Sequence, residues 1–304
     1  MAQLKEILRK IKSVQSTQKT TKAMKLVSTA KLRRAEEVAR RSRAYAEKLN
    51  SVILDIAFQL RAIKGENEES IFFKPVTGKV VDILFITADK GLCGGFNSQT
   101  IKTVRNLRDE LIEQGYQVRL RAIGKKGIEF FRFKQIDLLT AYTGVSSAPN
   151  YEKAQAIINE AVADFVAGKT NQIILVYNGY KNMITQELKQ QTLLPVTLVE
   201  RRHDERAQII KEHINVKSSM KFEPKDEEEE ILDTMIQKYI EYNLYYALVD
   251  SLAAEHSARM QAMDAATRNA KEMVNSLTIN YNKARQESIT TELVEIISGM
   301  EALR

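Results

Sequence analysis

From Ile231 to Arg304 this 304-residue chain contains no proline and a single glycine, Gly299; from Met1 to Lys64 it contains neither. Proline removes a helix hydrogen bond and clashes with the preceding turn, and glycine loosens the backbone. Both ends of the chain are therefore free to form long uninterrupted helices. The four prolines all fall in between, at 75, 149, 195 and 224. Two helical ends flanking a compact insert predict that the ends meet as one antiparallel rod. Rods transmit force or bridge partners, and rarely hold catalytic pockets.

Periodicity supports this plan. Over 3–60, Leu4, Ile7, Leu8, Ile11 and Val14 follow the three-four spacing of an apolar helix face. The face turns polar at Thr17, Gln18 and Thr21, and resumes at Met24, Val27, Leu32 and Val38. It becomes richer at Leu49, Val52, Ile53, Ile56 and Leu60. Such a helix spans roughly 85 Å. The acidic run Asp226–Glu230 after Pro224 favours a helix start, because carboxylates offset the positive end of the helix dipole. A second helix then runs over about 227–300, or roughly 110 Å. Heptad spacing places Met263, Ala270, Leu277 and Ala284 on one row and Ala266, Met273 and Asn280 on the other. Small seam residues let two helices approach closely, and Asn280 is predicted to lie near the Thr17–Thr21 polar stretch.

Gly65–Glu69 is a polar break. Val80–Thr87 is then a nearly continuous apolar run, as expected of a strand buried on both faces of a parallel sheet. A loop over Asp89–Asn97 leads into an amphipathic helix to about Gln114. Strands are expected at Gln117–Ile123, Gln172–Tyr177 and around Leu188–Leu198, with a helix over Tyr151–Val166. Strands alternating with helices predict an open α/β sheet. Residues 200–225 read as irregular or short-strand structure.

Charge is uneven. The chain carries +7, but residues 1–50 hold 14 Lys/Arg against 4 Asp/Glu. Two readings stand: a solvated helix face, or a surface for nucleic acid, an anionic membrane or an acidic protein. One cysteine, Cys93, excludes an internal disulfide framework and fits a reducing compartment. No segment reaches the roughly 20 apolar residues of a membrane span. The N-terminus, charged from Lys5, has no secretory h-region, so a soluble or peripheral chain is expected.

The most distinctive loop runs from Thr87 through Asp89, Lys90, Gly91, Leu92, Cys93, Gly94 and Gly95 to Asn97. It stands where doubly wound folds bind phosphates. Its glycines do not fit GxGxxG, no GxxxxGK[ST] occurs, and Gly124-Lys125-Lys126-Gly127 fails as well. A tight turn that lets backbone approach a partner is the better reading. Cys93 has no partner motif, and His203, His213 and His256 make no metal spacing. Glu227–Glu230 lacks a calcium-loop pattern and reads as a helix start. Arg259, Arg268, Arg285 and Gln286 punctuate the small-residue seam, either as surface i,i+4 pairs or as polar contacts to a surrounding protein.

Three blocks carry a resemblance to a known family. The first is Lys10-Ile11-Lys12-Ser13-Val14 with Thr17, Thr21-Lys22-Ala23-Met24-Lys25-Leu26-Val27 and Lys31. The second is Ile86-Thr87-Ala88-Asp89-Lys90-Gly91-Leu92-Cys93-Gly94-Gly95-Phe96-Asn97. The third is Ala258-Arg259-Met260-Gln261-Ala262-Met263, Ala266-Thr267-Arg268-Asn269-Ala270, Tyr281-Asn282-Lys283-Ala284-Arg285-Gln286 and Ile289 through Gly299. In this order, across essentially the whole chain, they resemble the γ subunit of F-type ATP synthases. One departure is Met300, where the family usually has Ala. The cysteine-bearing insert of the chloroplast type is missing, so thiol control of that kind is not expected.

The resemblance implies an α/β-plus-α fold: a long antiparallel coiled coil of the terminal helices (1–64 and 226–304) with an inserted Rossmann-like α/β domain and its connecting segments (65–225). It implies a rotor shaft that couples turning of a c-ring, driven by protons or sodium, to conformational cycling of catalytic β subunits. The chain itself would be non-catalytic, with no cofactor and no small-molecule substrate. Its implied partners are the α and β subunits, the ε subunit and the c-ring, at the cytoplasmic face of a bacterial plasma membrane. Coupling contacts carry over to Met24, Lys25, Asp89, Lys90, Gly91, Arg259, Arg285 and Gln286; Phe222 and Glu223 carry over as the foot. Two competitors remain in view: a basic coiled-coil nucleic-acid binder, without a recognisable nucleic-acid motif, and a doubly wound enzyme lacking a cofactor fingerprint.

Overall fold

A computed structural model describes residues 2–64, 71–73, 78–196 and 228–301. The chain order is α1 (Ala2–Lys64), β1 (Val80–Ile86), α2 (Phe96–Glu113), β2 (Gln117–Ile123), α3 (Lys125–Phe133), β3 (Thr140–Tyr142), α4 (Tyr151–Val166), β4 (Gln172–Tyr180), β5 (Gln186–Leu194) and α5 (Glu228–Glu301). The two long helices, β1, β2 and α4 stand where periodicity places them. Helix α3 and strand β3 are additions to that reading. The last strand begins at Gln186 and ends before Pro195, which has no N–H to extend the ladder. The polar break at 65–69 and the irregular stretch expected over 200–225 lie outside the described residues.

The five strands lie in the order β3-β2-β1-β4-β5. Strand β1 runs parallel to β2 and β4, β2 parallel to β3, and β5 antiparallel to β4. The central strand is buried on both faces, which explains its unbroken apolar run. Val81, Ile83 and Phe85 pack on one side with Val104 and Leu107 of α2 and Phe131 of α3. Leu84 and Ile86 pack on the other with Ile158 and Phe165 of α4 and with Ile240, Leu244 and Leu248 of α5. Helix α5 is thus one of the layers that cover the sheet.

Asp82 shares the α4-facing side of β1 and is fully buried. A buried carboxylate persists only when paired. Arg119 Nε donates to its Oδ1 at 2.6 Å and Arg121 Nε to its Oδ2 at 2.8 Å. Arg121, also fully buried, continues to Asp164 and Glu160 of α4. Helix α4 starts where Asn150 Oδ1 accepts from Glu152 N at 2.7 Å, and it stops ahead of Gly168 at φ 70.

Helices α1 and α5 lie side by side and antiparallel. Tyr45 meets Tyr242 at a ring separation of 4.4 Å, Leu32 and Ala35 pack with Ala253, and Lys25 pairs with Asp264 at 2.6 Å. Thr21 and Thr267 share a hydroxyl hydrogen bond of 2.8 Å. The α1 seam runs through Leu4, Ile7, Ile11, Val14, Gln18, Thr21, Lys25, Ser28, Leu32, Ala35, Ala39 and Ser42. That corrects the resumed stripe in part: Leu32 is buried and Met24 half-buried as expected, but Val27 (57% exposed) and Val38 point to solvent, and Ser28, Ala35, Ala39 and Ser42 join the seam. On α5 the row Met263, Ala270, Leu277, Ala284 faces inward as expected, but its companion row is Thr267, Val274, Tyr281, Ser288. Met273 is 55% exposed and Asn280 faces solvent. A heptad alternates steps of three and four; taking the three-step first rotates the second row by about 100°. The polar stretch around Thr21 therefore meets Thr267 and not Asn280.

Seam and surface separate by mutation. Ala35→Leu should overpack the seam and destabilise the chain by about 1–3 kcal/mol. Val27→Leu should stay within roughly 0.5 kcal/mol of the parent. Thermal unfolding of the full-length chain distinguishes the two.

Candidate functional site

The sheet order turns at β1: the chain leaves β1 toward β2 and β3, then crosses back to place β4 on the opposite side. In open α/β sheets the crevice outside the strand ends at such a turn is the usual ligand site. Here the chain fills it from within. Ala254 and Ala258 of α5 pack against Ala88 and Cys93 of the β1–α2 loop and Phe96 at the start of α2. A Cβ added to Gly179 at the end of β4 would stand 2.6 Å from Asp250 Oδ2 of α5, so the approach is close on that side too.

The loop is pinned at several points. Thr87 Oγ1 donates to the carbonyls of Ile123 and Gly124 and accepts from Gly127 N at 3.0 Å. Gly124 has φ 100, and a Cβ there would stand 1.9 Å from the Thr87 carbonyl oxygen; no other residue fits. Ala88 N donates to Asn97 Oδ1 at 2.8 Å. Asp89 accepts backbone N–H donors from Lys125 at 3.0 Å, Gly144 at 3.2 Å and Ser147 at 3.3 Å. Partial burial opposes its charge, but these donors prevail and hold the carboxyl below its usual range. Asp89 is therefore a tie among three loops. Cys93 is buried, and burial pushes its thiol up, opposite to what a nucleophile needs.

Arg259 reaches this loop from α5. It is 7% exposed. Its Nε and Nη2 donate to the Gly91 carbonyl at 3.3 and 3.2 Å, and Nη2 donates to the Lys90 carbonyl at 3.3 Å. Nη2 also meets Glu255 Oε1 at 2.6 Å, and Nη1 donates to His256 Nδ1 at 3.3 Å. Burial raises the Glu255 carboxyl against the pull of Arg259. Burial, then the charges of Arg259 and Lys31, push the His256 imidazole down to about 4. A planar, fixed-charge fork suits this double grip on carbonyl and carboxylate. Of the two readings of Arg259, the i,i+4 pair is present, with Glu255, but it is buried, and each of the three guanidinium nitrogens donates inside the chain.

The residues singled out by sequence fall into two groups. Asp89, Lys90, Gly91 and Arg259 come together at the loop. Lys25, beside half-buried Met24, stands one helix turn further along α5, paired with Asp264, which also meets Arg268 at 3.4 Å. Arg285 and Gln286 lie apart on an exposed face of α5, roughly 40 Å beyond Arg259 at helical rise. Phe222 and Glu223 lie outside the described residues. Three further α5 contacts escaped the sequence reading. Asp250 accepts from Tyr180 N at 3.1 Å and Lys189 Nζ at 2.7 Å, and Ser257 Oγ and Gln261 Nε2 each donate to the Met183 carbonyl at 2.9 Å. These positions fall on one helix face among alanines, which was the available signal.

Beyond Ser288 the helix is exposed all round. Ile289, Leu293, Val294, Ile296, Ile297 and Met300 stand open to solvent. A contiguous apolar surface of this kind marks an interaction site. Among the described residues no helix is long and apolar enough to cross a membrane, and no group of His, Cys, Asp and Glu is arranged to hold a metal ion.

A family model described as ATP synthase matches residues 3–303. The ATP synthase gamma chain of Campylobacter curvus is 59% identical over 100% of both chains, and that of a Nitratiruptor species 58% identical over 100% of both. Among solved structures, a chain of the central stalk and c-ring of the Tetrahymena thermophila mitochondrial ATP synthase aligns at TM-score 0.59. It is 27% identical, covering 81% of this chain and 99% of that one. A chain of the Euglena gracilis mitochondrial ATP synthase, from an assembly of OSCP, F1 and c-ring, aligns at TM-score 0.69 over 99% of this chain and 95% of that one. At 18% identity it is similar in fold alone.

The depressed His256 fixes the sign of one pH effect. Its folded value lies below the ordinary 6.5, so the stability tied to its neutral form is complete above about pH 6.5 and is lost as pH falls toward 4. His256→Gln should flatten the decline in melting temperature across that window. Asp89, also depressed, acts lower. Asp89→Asn should lower the melting temperature at pH 7, and the gap to the parent should close as pH falls below about 3.8.

Proposed function

Because the chain belongs to the ATP synthase gamma-chain family, we propose that it works as a shaft whose helices and α/β body turn as one piece. It is the non-catalytic central rotor subunit of ATP synthase. The observation that carries the mechanical reading is α5: one helix of 74 residues is at once a layer of the α/β body, half of the paired rod and the bare apolar end beyond it. Torque applied to the body passes to the far end through continuous backbone hydrogen bonds, with no hinge residue between Glu228 and Ser298.

In this reading residues 1–64 and 226–304 form an antiparallel coiled coil, and 65–225 form a Rossmann-like domain. The α and β subunits surround the rod. The ε subunit and the c-ring hold the opposite end, with Phe222 and Glu223 at the foot, and the assembly sits peripherally at the cytoplasmic face of a bacterial plasma membrane. The shaft does no chemistry. It makes different contacts with successive β conformations, and that difference shifts their nucleotide affinities. The basic excess of α1 suits an acidic rim on the β subunits, since charge attraction tolerates sliding better than interlocked packing does. Met24, Lys25 and the Asp89–Gly91 loop serve the contacts near the body; Arg285 and Gln286 serve those along the distal helix. The enzyme alternative is disfavoured by the way α5 fills the crevice, and the nucleic-acid alternative has no motif behind it.

Co-expression with family α and β subunits tests the reading. The expected product is a complex with one copy of this chain per α/β hexamer and an ATPase activity that depends on it. A chain that stays alone beside well-folded partners would overturn the shaft and redirect attention to salt-dependent nucleic-acid binding. Within the complex, the double change Arg285→Ala, Gln286→Ala should lower coupled ATP synthesis more than it lowers assembly; unchanged coupling would remove those two residues from the contact set.

A further inference from the structure

Leu92 is the anomaly of the β1–α2 loop. It has φ 63, a left-handed conformation that a branched side chain adopts only when its surroundings impose it. Yet its side chain is 62% exposed and gains little packing within the chain. The constraint comes from its neighbours. The two residues before it, Lys90 and Gly91, have their carbonyls held by the buried guanidinium of Arg259. The residue after it, Cys93, is buried with Ala254 and Ala258. Asp89 is tied to Lys125, Gly144 and Ser147. The backbone on both sides is fixed, and the one apolar side chain between is turned outward.

We propose that Arg259 is a positioning residue that acts on the catalytic head through Leu92, holding the β1–α2 loop in its left-handed turn so that the leucine meets the passing β subunits. The proposal rests on the rotor-shaft reading and deepens it. Arg259 itself is nearly enclosed, and each of its three nitrogens donates within the chain, to Gly91, Lys90, Glu255 or His256. Exposed Lys90 stands beside Leu92, and Lys126 lies 3.9 Å from where a Gly91 Cβ would be. Lys125 and Lys126 share Glu129 as their acidic partner. The border of the leucine is thus net positive, and the matching surface on the head is an apolar patch edged by carboxylates.

The test uses the membrane-bound complex, with ATP hydrolysis and ATP-driven proton pumping measured together on Leu92→Gly, Arg259→Gln and the double variant. Glycine keeps the left-handed backbone without penalty and removes only the side chain. Each single change should lower protons pumped per ATP hydrolysed by about fivefold. The double should be no worse than the worse single, because both remove one contact. Losses that multiply in the double would make Arg259 a contact of its own and overturn the proposal. An Arg259→Gln complex that is merely less stable, with its pumping ratio intact, would also overturn it. Should Arg259→Gln fail to assemble, Leu92→Gly decides: a parental ratio overturns the proposal and a lowered one supports it. A parent chain that does not join the head would instead remove the shaft reading itself.

Discussion

Everything in this molecule depends on α5 being held on two flanks at once. From about Ile240 to Ala258 the helix is buried nearly all round, with the sheet and α4 on one side and α1 on the other. Where α1 and the β1–α2 loop come close, small side chains are needed, and Ala253, Ala254 and Ala258 stand there. Larger residues such as Ile240, Leu244 and Leu248 point to the deep α/β core, where volume is needed. The alanine content of the C-terminal segment is thus a packing requirement as much as a matter of helix propensity.

Apolar burial alone would let such a helix slide or rotate against the sheet, because alanine surfaces are smooth and non-directional. Polar pegs remove that freedom. Glu241 accepts from Tyr151 at 2.8 Å and Gln155 at 3.0 Å, Asp250 takes Tyr180 N and Lys189, Arg259 takes the loop carbonyls, and Gln261 takes the Met183 and Ile184 carbonyls. Hydrogen bonds to charged groups are directional and stronger than neutral ones, so a one-residue slip would leave several buried partners unmet. The contact between α1 and α5 is different in kind. Over 21–42 of α1 its seam is dominated by Thr, Ser and Ala around Leu32, and its register is marked by the Thr21–Thr267 and Lys25–Asp264 pairs.

Sequence pattern revealed the elements whose signals are local. The apolar run of β1, strand β2 and helix α4 could be placed within a residue or so, since burial of a strand or of a helix face leaves its trace in consecutive residues. Helix α3 is not legible, because nine residues carry little periodicity and its buried Ile128 and Phe131 stand directly behind the glycine-flanked lysines Lys125 and Lys126. Strand β3 has three residues and exists through pairing with β2, a tertiary fact. The candidate site was half legible. Its loop and Arg259 stood out separately as residue types, but the grip between them joins positions 168 apart, and nothing local encodes it. Nothing in the sequence marks Leu92, because a left-handed leucine is a property of the backbone and not of the letter.

The uneven support along α5 has a consequence for its amide protons. Near Leu244–Ala258 an exchange event requires the helix to leave both α1 and the sheet, so opening there approaches global unfolding. From Thr267 to Ala284 only the seam with α1 must part. Beyond Ser288 the helix is exposed on every side among the described residues, and opening there costs little more than helix fraying. A single helix thereby spans nearly the whole range of local stabilities available to a protein, graded from slow exchange in the body to fast exchange at the tip.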